Sequence, residues 1–301
     1  MAIEKKHLLK RVTNLAFFKR IFLIELLARN TRNNLNNKLP KLLCLPHDYI
    51  GRHISVDGLY ELNLLESIFN SLLDPLKQEF SRTTVLDVGA NIGNHTCYFS
   101  SRFDTVIAFE PNDTVIPILE ANIKINAIIN TSVQKVGLSD RDDELVLVEN
   151  NDGNLGSATF TKSMTLDVLN NKTLPVKNGD NLLSEDFSEN KVSLIKIDIE
   201  GHELPALRGL RSTLEKHSPI VLFECHNMPG LQEDGQDIIE YLKSLSYRYF
   251  YSVEPPHTKT SNRLARFITR IFKGSSFYAT KIDSLEPRFY PLIVASVSEL
   301  D

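Results

Sequence analysis

The chain has 301 residues, no tryptophan, three methionines and three cysteines. Cys44, Cys97 and Cys225 form no CxxC pair, so neither a disulfide framework nor a zinc site is expected, and a reducing compartment is. A long uninterrupted apolar run is missing too. Residues 14–28 are rich in Leu, Ile and Phe, but Lys19, Arg20 and Glu25 interrupt them. That falls short of a membrane span, and no small-residue cleavage pattern follows it. The chain therefore reads as cytoplasmic. Excess charge of one sign is nearly absent overall, the formal net charge being −4, yet residues 1–45 sum to +8 and the remainder to −12. An acidic body disfavours nucleic acid as a partner. The hydrophobic fraction of 42% is enough for a core.

What is present is concentrated in two stretches. The first is Val85-Leu-Asp-Val-Gly-Ala-Asn-Ile-Gly-Asn94, an apolar run that ends near Asp87, turns through Gly89, Asn91 and Gly93, and passes into a helical pattern. A strand, a glycine-rich turn and a helix start hold a nucleotide-like cofactor at the edge of a parallel sheet. The dinucleotide fingerprint requires glycine at the first, third and sixth turn positions, which are Gly89, Asn91 and Asn94 here. Asp87 would repel a pyrophosphate, whereas it suits a cofactor with an ammonium and a sulfonium, such as S-adenosylmethionine. A second acid, Glu110, closes the run Thr105-Val-Ile-Ala-Phe-Glu110; it is placed to accept two ribose hydroxyls, as it would be in an NAD enzyme too.

The second stretch is Leu194-Ile-Lys-Ile-Asp-Ile-Glu-Gly-His-Glu203, an apolar strand that breaks into charge at its carboxyl end. Pro219-Ile-Val-Leu-Phe-Glu-Cys-His226 repeats the pattern. In an open α/β sheet ligands bind beyond the carboxyl ends of strands near the topological switch. Asp198, Glu200, His202, Glu224 and His226 are thereby gathered at two neighbouring strand tips, a candidate site. Lys196, a cation inside an apolar strand, is read as neutralising a nearby acid.

Alternation of strands (84–89, 105–109, 131–136, 194–199, 219–225) and helices (94–102, 114–127, 203–216, 235–246) predicts a doubly wound, mostly parallel α/β sheet. A helix is expected over 59–80, a short extra strand over 145–149, and polar excursions over 150–190. Segments 247–253 and 291–297 are expected to add an antiparallel edge. Residues 1–54 read as a basic helical arm, helical over 5–32, and residues 55–301 as the main domain, with a basic helical insertion at 256–290. The arm is expected to pack on the body or a second subunit, or to touch an anionic membrane peripherally.

These motifs, with Ala108-Phe-Glu-Pro-Asn112 and Val136-Gly-Leu-Ser-Asp140, resemble the FkbM family of S-adenosylmethionine-dependent O-methyltransferases in order and spacing over roughly residues 55–255. The resemblance implies a Rossmann-like class I methyltransferase fold and methylation of a hydroxyl on a sugar, glycan or secondary metabolite. It implies that Asp87, Gly89, Ala90, Asn91, Gly93 and Asn94 wrap the methionine and ribose end. Glu110 would take the ribose hydroxyls, with Pro111 and Asn112 beside the adenine and Ser139 and Asp140 near its ring. An aliphatic hydroxyl calls for a positioned base. Asp198 is the first candidate, Glu200 a contributor, and His202 and His226 are alternatives. A divalent cation on Asp198, Glu200, Glu224 and His226 is a rival, though no compact ligand spacing demands one. A nicotinamide oxidoreductase and a non-catalytic cofactor-binding scaffold remain open alternatives.

Overall fold

The computed structural model describes residues 14–148, 159–161, 172–187, 191–199, 201–227, 235–255 and 276–300. After helix α1 (Asn14–Asn36) come α2 (Tyr49–Asp57) and α3 (Leu62–Ser67), a π turn (Ile68–Leu72), a 3-10 turn (Asp74–Leu76) and α4 (Lys77–Phe80). The single helix expected over 59–80 is thus segmented. Pro75 supplies no N–H for a continuous helical ladder, and the chain tightens into the 3-10 turn there.

The α/β alternation follows as β1 (Thr84–Val88), α5 (Asn94–Phe99), β2 (Thr105–Phe109), α6 (Ile116–Ile125) and β3 (Thr131–Gln134). A second group comprises β4 (Gly137–Ser139), β5 (Asp143–Val148), β6 (Thr159–Thr161), β7 (Lys172–Asn178) and α7 (Gly179–Asp186). The chain then returns to the main sheet through β8 (Val192–Ile197), α8 (Glu203–Gly209), α9 (Arg211–His217), β9 (Ile220–Asn227) and α10 (Gly235–Ser244). It ends in β10 (Tyr249–Glu254), β11 (Tyr278–Lys281) and β12 (Arg288–Ser296).

The main sheet has eight strands in the order β11-β10-β12-β9-β8-β1-β2-β3. From β9 to β3 every pairing is parallel, while β12 runs antiparallel to β9 and β10, and β11 antiparallel to β10. The mostly parallel α/β class and the antiparallel edge expected from the sequence are both found. Strands β1 and β8 are buried at every position, as central strands covered on both faces must be. The chain winds outward from β1 to β3 and restarts at β8, so the switch point lies between β1 and β8. Their register pairs Asp87 with Lys196 and Val88 with Ile197, which brings the two informative motifs side by side.

Other expectations need correction. Residues 172–186, expected as part of a polar excursion, form β7 and α7. Pro175 and the polar composition argue against a strand, yet alternate burial of Leu174 and Val176 makes β7 the partner of β4 and β5 in a four-stranded second sheet. Asn178 caps α7 by accepting the Asn181 N–H at 3.1 Å. The helical insertion cannot reach 290, because β11 and the start of β12 occupy its end; residues 256–275 lie outside the described residues. Helix α1 runs on to Asn36, past the end expected at residue 32. The boundary expected at residue 54 falls inside α2. The stretch between these helices is tied to the body by α6. Asn122 bonds Leu43 N–H at 2.6 Å and Leu43 O at 3.1 Å, and Asn126 makes the same pair of bonds to Lys41, both at 2.8 Å. Among the described residues no helix is long and apolar enough to cross a membrane.

Candidate functional site: the carboxyl edge of the parallel sheet

The turn after β1 is a run of unusual backbone. Gly89 (φ +83°), Asn91 (φ +50°) and Gly93 (φ +85°) are all left-handed. At Gly89 glycine is required twice over, since a Cβ would also collide with the carbonyl oxygen of Asp198. That close approach is how the tip of β1 seats against the tip of β8. The turn is held from the other side by Glu110, at the end of β2. Its Oε2 accepts the Asn91 N–H and its Oε1 the Asn112 N–H, each at 2.8 Å. Each oxygen keeps a second lone pair, so the carboxylate can also receive two hydroxyls. Burial pushes the Glu110 carboxyl up to about 7, against the pull of those two N–H groups.

Beside Glu110 lies a narrow apolar slot lined by Val88, Phe109, Pro111, Leu138, Val176, Ile199 and His202. Its walls come from β1, β2, β4 and β7 and from the loop after β8. Asp87 sits beneath the turn, wholly buried, with the Thr96 hydroxyl donating to Oδ2 at 2.6 Å. Its Oδ1 is buried without a hydrogen bond. An unpartnered carboxylate oxygen of this kind is costly, and a cation held at the turn would offset it. The free lone pairs of Glu110 and the Asp87 oxygen without a hydrogen bond together suit a ribose diol and a cationic group.

Several residues expected around the cofactor do other work. Ala90 packs with Ala108 and Leu119, leaving only its backbone at the turn. The Asn112 side chain accepts the Thr114 N–H at 3.0 Å and so shapes the loop into α6. Asn94 is spent on the segment before α3, its Oδ1 accepting Tyr60 N–H at 2.9 Å and its Nδ2 donating to Tyr60 O at 3.0 Å. Ser139 does lie behind the slot, 3.1 Å from His202 Nε2, but in the second sheet rather than after β3. Asp140 is exposed and faces Arg141 at 3.7 Å.

The expected catalytic residues separate in the same way. His202 is buried, lines the slot and meets Ser139 Oγ at 3.1 Å. The cause is local: the chain reverses at Gly201, and Glu203 braces that loop by accepting the N–H groups of Ile199 and Gly201. Asp198 is at the tip of β8, with its side chain about a third exposed (36%) and its Oδ2 2.9 Å from Lys196 Nζ. Burial alone would raise the Asp198 carboxyl, but the charge and hydrogen bond of Lys196 hold it below the usual carboxylate range. Burial alone would lower Lys196, and Asp198 and Asp87 hold it up instead. Lys196 therefore neutralises an acid, as expected, and Asp198 is a weak base. Glu200 and the His226 side chain lie outside the described residues. Among the described residues no cluster of three His, Cys, Asp or Glu side chains is arranged to hold a metal.

Sequence reasoning passed over three residues beside the turn: Tyr60, Glu61 and His95. Asn94 fastens Tyr60 to the turn, which carries Glu61 over the first turn of α5. There His95 Nε2 stands 3.3 Å from Glu61 Oε2. Glu61 itself is left-handed (φ +59°), a conformation that costs energy in a residue with a side chain and often marks a functional site. Burial raises the Tyr60 hydroxyl, and the charges of Glu61, Tyr49, Glu224 and Asp198 add to the effect, so Tyr60 faces the tips of β8 and β9. The sequence signal was His95 adjoining the glycine turn; nothing nearby in the chain announces Glu61.

Comparison with known proteins agrees with this architecture. Residues 87–249 match the methyltransferase FkbM domain. The chain is 30% identical over 152 residues to hexuronic acid methyltransferase AglP of Haloferax volcanii, covering 50% of this chain and 59% of that protein. It is 24% identical over 143 residues to methyltransferase 1 of Beauveria bassiana, covering 42% of this chain and 57% of that one. The chain thus spans less than two thirds of the curated relatives it matches. The crystal structure of methyltransferase FkbM from Methylobacillus flagellatus KT aligns with a TM-score of 0.42 at 17% identity, over 71% of this chain and 44% of that one. Because the matched domain takes up more than half of the chain and contains the turn, Glu110 and both strand tips, this protein belongs to the FkbM methyltransferase family.

Proposed function

We propose that the protein transfers the methyl group of S-adenosylmethionine to a hydroxyl of a sugar, glycan or secondary metabolite. The observation that carries this reading is the turn at 89–93, fixed between Glu110 and Asp198 beside an apolar slot. The relation to a hexuronic acid methyltransferase favours a sugar acid among acceptors. In this reading Glu110 holds the ribose hydroxyls, the slot walls Phe109, Pro111, Leu138 and Ile199 enclose the adenine, and the Asp87 charge faces the methionine end. The bound cofactor supplies an electrophilic methyl carbon with a neutral thioether as leaving group. The chain's own residues must align the acceptor oxygen, which alone can supply a large part of the rate. Asp198, paired with Lys196, is suited to accepting a hydrogen bond from the acceptor hydroxyl and orienting it. Calorimetric titration tests the reading: S-adenosylmethionine should bind, NAD should not, and Asp87→Asn should weaken binding. Binding of NAD alone would sink it in favour of an oxidoreductase.

A second reading concerns α1. Leu15, Phe18, Phe22 and Ile24 are 55–81% exposed, and the helix carries Lys19, Arg20, Arg29 and Arg32 against Glu25. Apolar side chains with basic neighbours favour peripheral contact with an anionic bilayer. Flotation with phosphatidylglycerol vesicles at low salt, but not with neutral vesicles, is the expected result. Protein that stays at the bottom with both would end the idea.

A further inference from the structure

Methylation of a hydroxyl leaves one proton to be accounted for, and the residue the sequence favoured for it is poorly suited. Asp198 is held as a carboxylate by Lys196 at 2.9 Å, so it gains little by taking a proton. The neighbouring pair, Glu61 and His95, has among the described residues no such cation fixed to it by hydrogen bonds. Its imidazole is buried with 9% of the side chain exposed, its carboxylate is 26% exposed, and the two are 3.3 Å apart. The Nε2 atom of His95 has no hydrogen bond of good geometry among the described residues.

Three observations put this pair at the reacting centre. Asn94 clamps the Tyr60 backbone at both its N–H and its carbonyl, so the pair is anchored to the cofactor turn itself. His95 lies in the first turn of α5, directly after the turn whose Gly89 seats against the Asp198 carbonyl, so the pair is close to the β8 tip. Glu61 also holds a left-handed backbone that no glycine relieves, which is the strain expected where one side chain must be aimed.

Resting on the methyltransferase reading above, we propose that Glu61 and His95 are the proton-accepting pair of the transfer. Glu61, the more open of the two, meets the acceptor hydroxyl, and His95 Nε2 behind it stores the proton. As the oxygen–methyl bond forms and the methyl–sulfur bond breaks, the acceptor O–H bond breaks and its proton ends on the imidazole. The sulfur leaves as a neutral thioether, so charge balances.

The test uses the full-length protein, with Glu61→Gln and His95→Gln as variants and p-nitrophenyl glucuronide as acceptor. Both variants should bind S-adenosylmethionine as the wild type does by calorimetry, while kcat falls by ~10²–10⁴. At one fixed pH the ring resonances of His95 in the S-adenosylhomocysteine complex should change in Glu61→Gln, since the carboxylate 3.3 Å from Nε2 has lost its charge, a readout that needs no acceptor. Wild-type kcat in both variants, unchanged His95 ring resonances, or lost cofactor affinity with full kcat at saturation would each overturn the proposal. If the wild type methylates no glucuronide, the acceptor assignment falls, and unchanged His95 resonances would still overturn the pair.

Discussion

Around the tips of β1 and β2 polar groups are held by backbone N–H and carbonyl groups, whereas around the tip of β8 they are held by other side chains. On the first side Glu110 grips the N–H groups of Asn91 and Asn112, and Gly89 leaves room for the Asp198 carbonyl. On the second, Lys196 meets Asp198, and His95 meets Glu61 across 34 residues of sequence. A site built on backbone can recognise one unvarying ligand, because backbone geometry does not change when side chains do. A site built on side chains can be altered residue by residue. That division is the one the proposed function needs, with the cofactor on the first side and the acceptor on the second.

The sharpest way to break the first side is Gly89→Ala. Left-handed backbone costs about 1–2 kcal/mol for a residue with a Cβ, and forcing apart well-packed groups typically costs about 1–3 kcal/mol more. Cofactor affinity should fall up to about a thousandfold, as read by calorimetry; a loss under tenfold would show that the β1 and β8 tips need not touch. On the second side Lys196→Met leaves Asp87 and Asp198 without their cation. Breaking a fully buried pair costs about 3–5 kcal/mol. Because Asp198 is partly open to solvent, which screens it, about 2–3 kcal/mol in urea unfolding is the expected loss. The double variant Lys196→Met/Asp198→Asn should recover part of it, since one uncompensated charge has gone with its partner. Equal losses in the single and double variants would mean that Asp87, and not Asp198, is what Lys196 serves.

The same division explains what was legible in the sequence. The strand that carries Asp87, the glycine turn, the acid closing β2 and the Lys196–Asp198 pair were legible as local structure, because each is a local pattern with local physics: an apolar run, a turn, a charge at a strand end. The sheet class followed from the alternation of such runs. Asn94 was misassigned because its neighbours made it look like part of the turn, while its partner Tyr60 is remote. His202 was placed at the chemistry because it follows a strand tip, yet the reversal at Gly201 sends it to Ser139 of the second sheet. That sheet itself was hidden, since β7 contains Pro175 and only two of its seven residues are buried. Glu61 had no local signal at all.

Asn94 offers a milder probe of how the two sides are joined. Asn94→Ala leaves the Tyr60 N–H and carbonyl without their side-chain partner, at a cost of about 1–3 kcal/mol for a buried group. Expected is a loss of about 2 kcal/mol in stability, with acceptor KM rising more than cofactor Kd. An equal change in both would mean that the Tyr60–Glu61 segment also forms part of the cofactor site.

The smallest effect tests whether Glu110 is truly a ligand-facing carboxylate. Burial raises it to about 7, with Asp87 pushing it further up and the Asn112 and Asn91 N–H groups and Lys196 opposing. The folded protein therefore favours the neutral form. The stability gained from this is complete below the ordinary carboxylate range and is lost as pH rises through about 7. Ribose hydroxyls donate to the ionised form, so the cofactor should bind in the opposite sense, gaining affinity as the proton leaves. Between pH 8 and pH 6 the affinity should weaken by about tenfold, with a proton released on binding at the lower pH. Glu110→Gln should flatten that dependence while lowering affinity at pH 8. If the wild-type affinity is already flat across the range, the two backbone N–H groups keep Glu110 ionised throughout, and the carboxylate serves the turn more than the ribose.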